Sequence, residues 1–237
     1  MNAAIIVAGG SGERSGLSGG KQLAIVAGRP VLYHTITAFV SCDAIDAIVV
    51  VVHPERIEEY RVAAVTPIAS PKLVCVTGGG DSRQESVARG LAEVPAGADV
   101  IAIHDGARPL VTPALIAEAI DTLGADGSLA GVVVGHPSYD TLKQVDAEHR
   151  VTGTLDRASV WAAQTPQVFR APVLRRAYES AEAEGFTGTD DASLVEHAGG
   201  LVRMMAGPRD NIKVTVPEDM LIVERILRAR AEGAGNG

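Results

Sequence analysis

Near the start of the chain a glycine-rich segment ends in two cations, a pairing suited to holding an anion. Residues 3–14 read AAIIVAGGSGER, and Lys21-Gln22 follow. The run 3–8 is short, apolar and partly β-branched, as a buried strand is. It breaks at Ala8 into Gly9, Gly10, Ser11 and Gly12. Glycines after a strand turn the backbone tightly and bring bare N–H groups close to a bound anion. Arg14 and Lys21 add fixed positive charge beside them, a combination that suits a nucleoside triphosphate. Two familiar phosphate motifs do not match. The dinucleotide fingerprint needs a third glycine where Ser15 stands. The P-loop needs glycine at that same Ser15, and a hydroxyl where Gln22 stands.

Other clusters carry chemistry further along. His104-Asp105-Gly106-Ala107-Arg108-Pro109 follows a strand-like run at 99–103. Ligands of open α/β sheets bind beyond the carboxyl ends of strands. Asp105 therefore sits where a carboxylate can hold Mg²⁺, a hard cation that accepts one or two carboxylates plus phosphate oxygens. A plain Asp105–Arg108 ion pair is the alternative. Residues 78–86 (GGGDSRQES) form a second glycine loop running into a helix, where terminal amides can bind an anion or a base edge. Asp210-Asn211-Ile212-Lys213 offers a phosphate-binding lysine and a carboxylate. Taken alone, these charges read as solvated, and so do Asp156-Arg157 and Thr189-Asp190-Asp191. The six histidines show no H-x-x-x-H spacing, so zinc is not expected. No G-x-S-x-G elbow is present, which disfavours covalent catalysis.

The elements that must position these groups follow from composition and pattern. Of 237 residues, 46% are hydrophobic but only 3% aromatic, so a core must be built from Val, Ala, Ile and Leu. That favours a parallel sheet buried on both faces. Strand-like runs at 3–8, 45–52, 72–77, 99–103, 129–134, 200–205 and 212–216 alternate with helix-like runs at 31–41, 55–65, 83–93, 113–123, 171–184, 190–198 and 217–230. The alternation predicts an α/β, Rossmann-like twisted and mostly parallel sheet with helices on both faces. Start signals support the helices: Thr112-Pro113, Ser82 with Glu85, and Pro217-Glu218-Asp219. The formal net charge of −8 argues against nucleic-acid and anionic-membrane partners, and any phosphate site must override it locally. Cys42 and Cys75 lie in no metal or redox motif and read as reduced cytoplasmic thiols. No apolar run is long enough to span a membrane.

One stretch breaks the rhythm. Residues 140–155 look like two short strands about a polar turn at 146–150, a protruding ribbon that is marginal alone. A second subunit is a natural partner, and an edge hairpin on its own domain is the alternative. Nothing divides residues 1–230, which read as one domain, and residues 231–237 read as a disordered tail.

The ordered set VAGGSGER, Lys21-Gln22, GGGDSRQESV, HDGARP, DTLK, TLDR, QTPQVF, TDDAS and DNIKVT resembles the 2-C-methyl-D-erythritol 4-phosphate cytidylyltransferases from about residue 3 to about 225. The resemblance implies a nucleotidyltransferase domain that moves CMP from CTP to a sugar-alcohol phosphate and releases pyrophosphate. It implies that Arg14 and Lys21 grip the triphosphate and Lys213 the incoming phosphate. It implies that Ala8, Gly9, Gly10 and Gly12, with Asp81, Arg83 and Ser86, surround the nucleotide. It implies Mg²⁺ on Asp105 with Asp210 nearby. It implies that Thr141, Arg157 and Thr165 contact the methylerythritol phosphate, and that the 140–155 arm builds a homodimer. Two rivals stay in view: a ribitol-5-phosphate cytidylyltransferase, and a nicotinamide-dependent oxidoreductase. The second needs an acidic residue where the second strand ends in His53-Pro54. Gly20 stands where many relatives carry proline, which predicts a looser loop.

Overall fold

A computed structural model describes residues 1–10 and 20–234. In chain order the elements are β1 Asn2–Ala8, β2 Ile25–Val26, β3 Arg29–Pro30, α1 Val31–Val40, β4 Ala47–Val52, α2 Ile57–Tyr60, β5 Leu73–Gly78, α3 Arg83–Glu93 and β6 Val100–Asp105. Then come α4 Pro113–Ala125, β7 Gly131–Pro137, β8 Lys143–Val145, β9 Val151–Thr154, β10 Trp161–Arg170, α5 Ala171–Glu184, α6 Asp191–His197, β11 Val202–Ala206 and α7 Pro217–Ala234.

Seven strands form one sheet in the order β11-β7-β10-β6-β1-β4-β5. All neighbours pair in parallel except β10, which runs antiparallel to both β6 and β7. The strands bury both faces with period two. Ile48, Val50 and Val52 of β4 join one cluster with Leu32, Ile36 and Phe39 of α1 and Leu115 and Ile116 of α4. Val49 and Val51 join the other with Val87 and Leu91 of α3 and Leu174 and Ala177 of α5. Helices thus cover both faces, and β-branched and small side chains fill the interior, as expected of such strands.

The chain lays β1, β4 and β5 outward in one direction and then returns to set β6 on the other side of β1. That reversal opens a crevice at the carboxyl ends of β1 and β6, the usual ligand position of this architecture. In the register Val7 lies opposite Asp105, and Gly106 donates its amide to Val7 O at 2.8 Å.

Several expectations are corrected. Residues 212–216 form no strand. They cross the strand ends as irregular chain, tied back by Val214 N donating to Ala107 O at 2.8 Å. The helix expected at 55–65 is four short turns instead: a 3-10 turn at Pro54–Arg56, α2, a π-type turn at Arg61–Val65 and a 3-10 turn at Thr66–Ile68. Proline at Pro54 and Pro67 removes helical amides at both ends. The last helix continues to Ala234, so residues 231–234 of the expected tail are helical. Strand β10 was not anticipated. The 140–155 ribbon forms as β8 and β9, a separate two-stranded sheet.

Candidate functional site

Asp105 is the last residue of β6, and its side chain is 11% exposed. Three cations converge on it. Lys213 Nζ lies 2.8 Å from Oδ2, Arg83 Nε 3.3 Å from Oδ1, and Arg108 Nε 3.6 Å from Oδ2. Burial alone would raise the carboxyl pKa. The charges of Arg83, Lys213 and Arg108 outweigh it and hold Asp105 well below the usual carboxylate range. The plain Asp105–Arg108 ion pair therefore exists, and it belongs to a larger charge cluster.

Behind Asp105 lies a polar relay. His104 is fully buried, and burial pushes it down to about 3, so its ring is neutral near pH 7. Its Nε2 lies 3.2 Å from Arg108 O, a carbonyl that can only accept, so Nε2 carries the proton. Nδ1 then accepts from Thr165 Oγ1 at 2.9 Å, and the same hydroxyl accepts from Asp105 N–H at 3.1 Å. Antiparallel β10, bulged between Ala163 and Gln167, delivers Thr165 to this point. Asn211 locks the layer by donating Nδ2 to Thr165 O at 2.8 Å and accepting Arg108 Nη1 on its carbonyl at 2.8 Å.

A cavity of about 940 Å³ opens over these strand ends. Gly9, Gly10, Lys21, Asp81, Arg83, Ser86, Asp105 and Lys213, all expected at the site, line it together. The two glycine loops abut. A Cβ added at Gly9 would stand 3.2 Å from Ser86 Oγ and 3.5 Å from Gly79 Cα, so a larger residue there would crowd the second loop. Ser86 Oγ shapes the second loop, accepting Gly80 N–H at 3.1 Å and donating to Ser82 O at 2.9 Å. Ser82 caps α3 through Glu85 N at 3.0 Å. Glu85 reaches back to Asp81 N at 2.7 Å, one residue past the cap expected to receive it.

Other expected residues lie elsewhere. Thr165 is 3% exposed with its hydroxyl committed to His104 and Asp105, so it stands behind the cavity wall and not on it. Asp210 holds Arg230 of α7 at 3.0 Å and is absent from the cavity lining, because its chain turns that carboxylate toward the last helix. Ala8 is 1% exposed at the end of β1. Thr141 and Arg157 are exposed at the ribbon's two ends, with Arg157 Nη1 3.5 Å from Tyr139 O. Arg14 and Gly12 lie outside the described residues. Gly20 has φ of 85°, a left-handed conformation closed to proline, so this chain takes a turn there that proline would forbid.

Asp191, a solvated charge by its local sequence, is fully buried, 2.7 Å from Arg83 Nη2. Tyr178 Oη donates to its other oxygen at 2.6 Å. The sequence signal was present in Asp190, which caps α6 in a reciprocal box with Ser193 and turns Asp191 inward.

The described lining carries Lys21, Arg83 and Lys213 against Glu55, Asp81 and Asp105. These charges balance, so they alone do not build the local positive field that the sequence argument required. Among the described residues no group of three or more His, Cys, Asp or Glu side chains could hold a metal. Asp105 offers one hard oxygen ligand, which suits Mg²⁺ when phosphate oxygens complete the shell. Also among the described residues, no helix is long and apolar enough to cross a membrane.

Comparison with known proteins agrees with this architecture. The family model described as 2-C-methyl-D-erythritol 4-phosphate cytidylyltransferase matches residues 2–229. A relative of that name from Alkaliphilus metalliredigens is 40% identical over 229 residues, covering 97% of this chain and 94% of its own. Another, from Acidobacterium capsulatum, is 44% identical over 215 residues, covering 89% and 88%. The crystal structure of 4-diphosphocytidyl-2C-methyl-D-erythritol synthase from Anaerococcus prevotii superposes with a TM-score of 0.83 at 28% identity, covering 96% of this chain and 98% of that one.

Proposed function

The chain belongs to the 2-C-methyl-D-erythritol 4-phosphate cytidylyltransferase family, and from that premise we infer the work of its cavity. It transfers CMP from CTP to 2-C-methyl-D-erythritol 4-phosphate, giving 4-diphosphocytidyl-2-C-methyl-D-erythritol and pyrophosphate for isoprenoid precursor synthesis.

The nucleophile is a phosphate monoester, largely dianionic near neutral pH, so no strong general base is needed. One of its oxygens attacks the α-phosphorus. The bond from that phosphorus to the bridging oxygen breaks, and pyrophosphate leaves with the electron pair. The barrier is anion meeting anion, and preorganised positive charge is the main catalytic resource. Convergence of Lys213 and Arg83 on Asp105, in one cavity with Lys21 and both glycine loops, is the observation that carries this reading.

In it, Lys21 and Arg14 grip the triphosphate. Lys213 leaves Asp105 to hold the incoming phosphate, and Arg83 and the 79–82 loop border the nucleotide. Asp105 would hold Mg²⁺, which would supply Lewis-acid stabilisation of the departing pyrophosphate. Freed of Lys213, Asp105 keeps Arg108 as a counter-charge.

The reading extends to a homodimer. The ribbon exposes Val145 at 50% and Val151 at 61%, apolar surface that a second copy would cover. Thr141 and Arg157 would then contact the methylerythritol phosphate from the arm. The cytoplasm is the compartment this reading assigns, in keeping with free Cys42 and Cys75.

The test is pyrophosphate release with CTP and Mg²⁺, run side by side with 2-C-methyl-D-erythritol 4-phosphate and ribitol 5-phosphate. Turnover with the first alone is expected. Turnover with the second alone would overturn the assignment of acceptor.

A further inference from the structure

Arg83 serves two carboxylates unequally. Its contact with Asp191 is a 2.7 Å hydrogen bond to a fully buried group, and its contact with Asp105 is 3.3 Å at the edge of the cavity. The short bond is itself braced. Tyr178 Oη donates to Asp191 Oδ1 at 2.6 Å, and the tyrosine is 8% exposed. The backbone of α6 is pinned at the same point, because Gln167 Oε1 accepts from Ala192 N at 3.1 Å and Gln167 Nε2 donates to Asp190 Oδ2 at 2.8 Å. From the other side, Gln84 of α3 donates Nε2 to Phe186 O at 3.1 Å and accepts Gly188 N–H at 3.1 Å. Helix α3, which carries Arg83, is therefore clamped to the segment that carries Asp191.

We propose that Asp191 and Tyr178 are positioning residues that hold the Arg83 guanidinium at the nucleotide side of the cavity. Neither lines the cavity. Arg83 does, and a guanidinium held by one partner alone would swing toward whichever anion came near it. Anchored to Asp191, it gives up the longer contact to Asp105 when a metal ion claims that carboxylate, and it keeps its place. The anchor also stops Arg83 from closing fully onto Asp105 before substrate arrives. Charge-assisted, geometrically fixed bonds of this kind are the strong ones. This inference rests on the reading of Arg83 as a nucleotide-side residue.

The experiment measures CTP binding by calorimetry, and KM for each substrate, in Arg83→Gln, Asp191→Asn, Tyr178→Phe and the double variants Arg83→Gln/Asp191→Asn and Arg83→Gln/Tyr178→Phe. Arg83→Gln should weaken CTP by roughly 10- to 100-fold, the scale of a lost hydrogen bond to a charged group. Asp191→Asn should weaken it by about tenfold and Tyr178→Phe by about threefold, with KM for the acceptor nearly unchanged. Each double variant should match Arg83→Gln alone, because both residues act through that guanidinium. A purely structural role would lower the melting temperature and leave the CTP affinity of the folded single variants intact; that result overturns the proposal. Normal CTP affinity in Arg83→Gln would instead sink the reading of Arg83 itself, and the proposal with it. If Asp191→Asn does not fold, the Tyr178→Phe pair of variants decides.

Discussion

Two regions of the molecule hold arginine–carboxylate pairs of similar length and very different consequence. In the ribbon, Arg150 lies 2.8 Å from Asp146 and 2.7 Å from Glu148, with an arginine side chain 73% exposed. At the strand ends, Arg83 lies 2.7 Å from Asp191 and 3.3 Å from Asp105, whose side chains are 0% and 11% exposed. Distance does not separate the two, but burial does. Water screens the ribbon pair, so it adds little. The buried cluster has lost its water, so every charge depends on its partners, and removing one leaves the others uncompensated. The cluster is the high-stakes part of the site, and the ribbon carries charges that water already serves.

The largest effect expected is at the centre of the cluster. Asp105→Asn leaves Arg83, Arg108 and Lys213 facing one another, and should lower unfolding free energy by about 3–5 kcal/mol, measured by urea denaturation. A smaller loss would mean that the three cations relax apart more readily than their packing suggests. Lys21→Ala and Arg14→Ala should do the reverse, lowering turnover by roughly 10²–10³ with little change in melting temperature. Near-normal kcat in both would refute their assigned roles.

The buried pole should also respond to pH. His104 is neutral in the fold down to about 3, whereas the unfolded chain takes up that proton near 6.5. Stability should therefore fall as pH drops through this window, with a slope approaching about 1.4 kcal/mol per pH unit from this one group. Asp105 adds to the loss at the acid end, because its depressed pKa contributes stability that is complete above its unfolded value near 3.8 and is lost progressively as pH falls from there through its lower folded value. His104→Asn should flatten the slope between pH 6 and 4, as read from denaturation midpoints. In the ribbon, Val145→Asp with Val151→Asp should convert a sedimenting dimer to monomer while leaving the melting of each chain nearly unchanged. A dimer that survives would mean that the arm is not the interface. The smallest effect belongs to Arg150→Ala, which should not move the melting temperature measurably at physiological salt.

Much of the scaffold was legible in the chain because its signals are local. Helices Arg83–Glu93 and Ala171–Glu184 fall where the pattern put them, and Thr112 caps Pro113–Ala125 as expected, accepting Leu115 N–H at 3.2 Å. Strand Trp161–Arg170 was not legible. Pro166 inside the run argues against a strand, and buried Gln164 and Gln167 break its apolar pattern. Those glutamines are tolerated because distant groups satisfy them: Gln164 Oε1 accepts from Asn211 at 3.2 Å, and Gln167 bonds Asp190 and Ala192. The run 212–216 erred the other way. Its alternating Ile212, Val214 and Val216 suit a strand, but the chain must leave the sheet there to carry Lys213 over the end of β6.

Local pattern along the chain already implies a mostly parallel α/β sheet, two glycine loops after its strands, and Asp105 at a strand's carboxyl end. Each of these rests on neighbours within a few residues. What Asp105 and Arg83 meet depends on the packed fold. Asp191 lies 108 positions from Arg83, and Thr165 lies 60 from Asp105. Pairings across such separations are set by strand order and by the antiparallel insertion of β10, and no local propensity encodes either. The same order turned Asp191 from an apparent surface charge into the buried anchor of the site, because burial belongs to the packed chain and not to the residue.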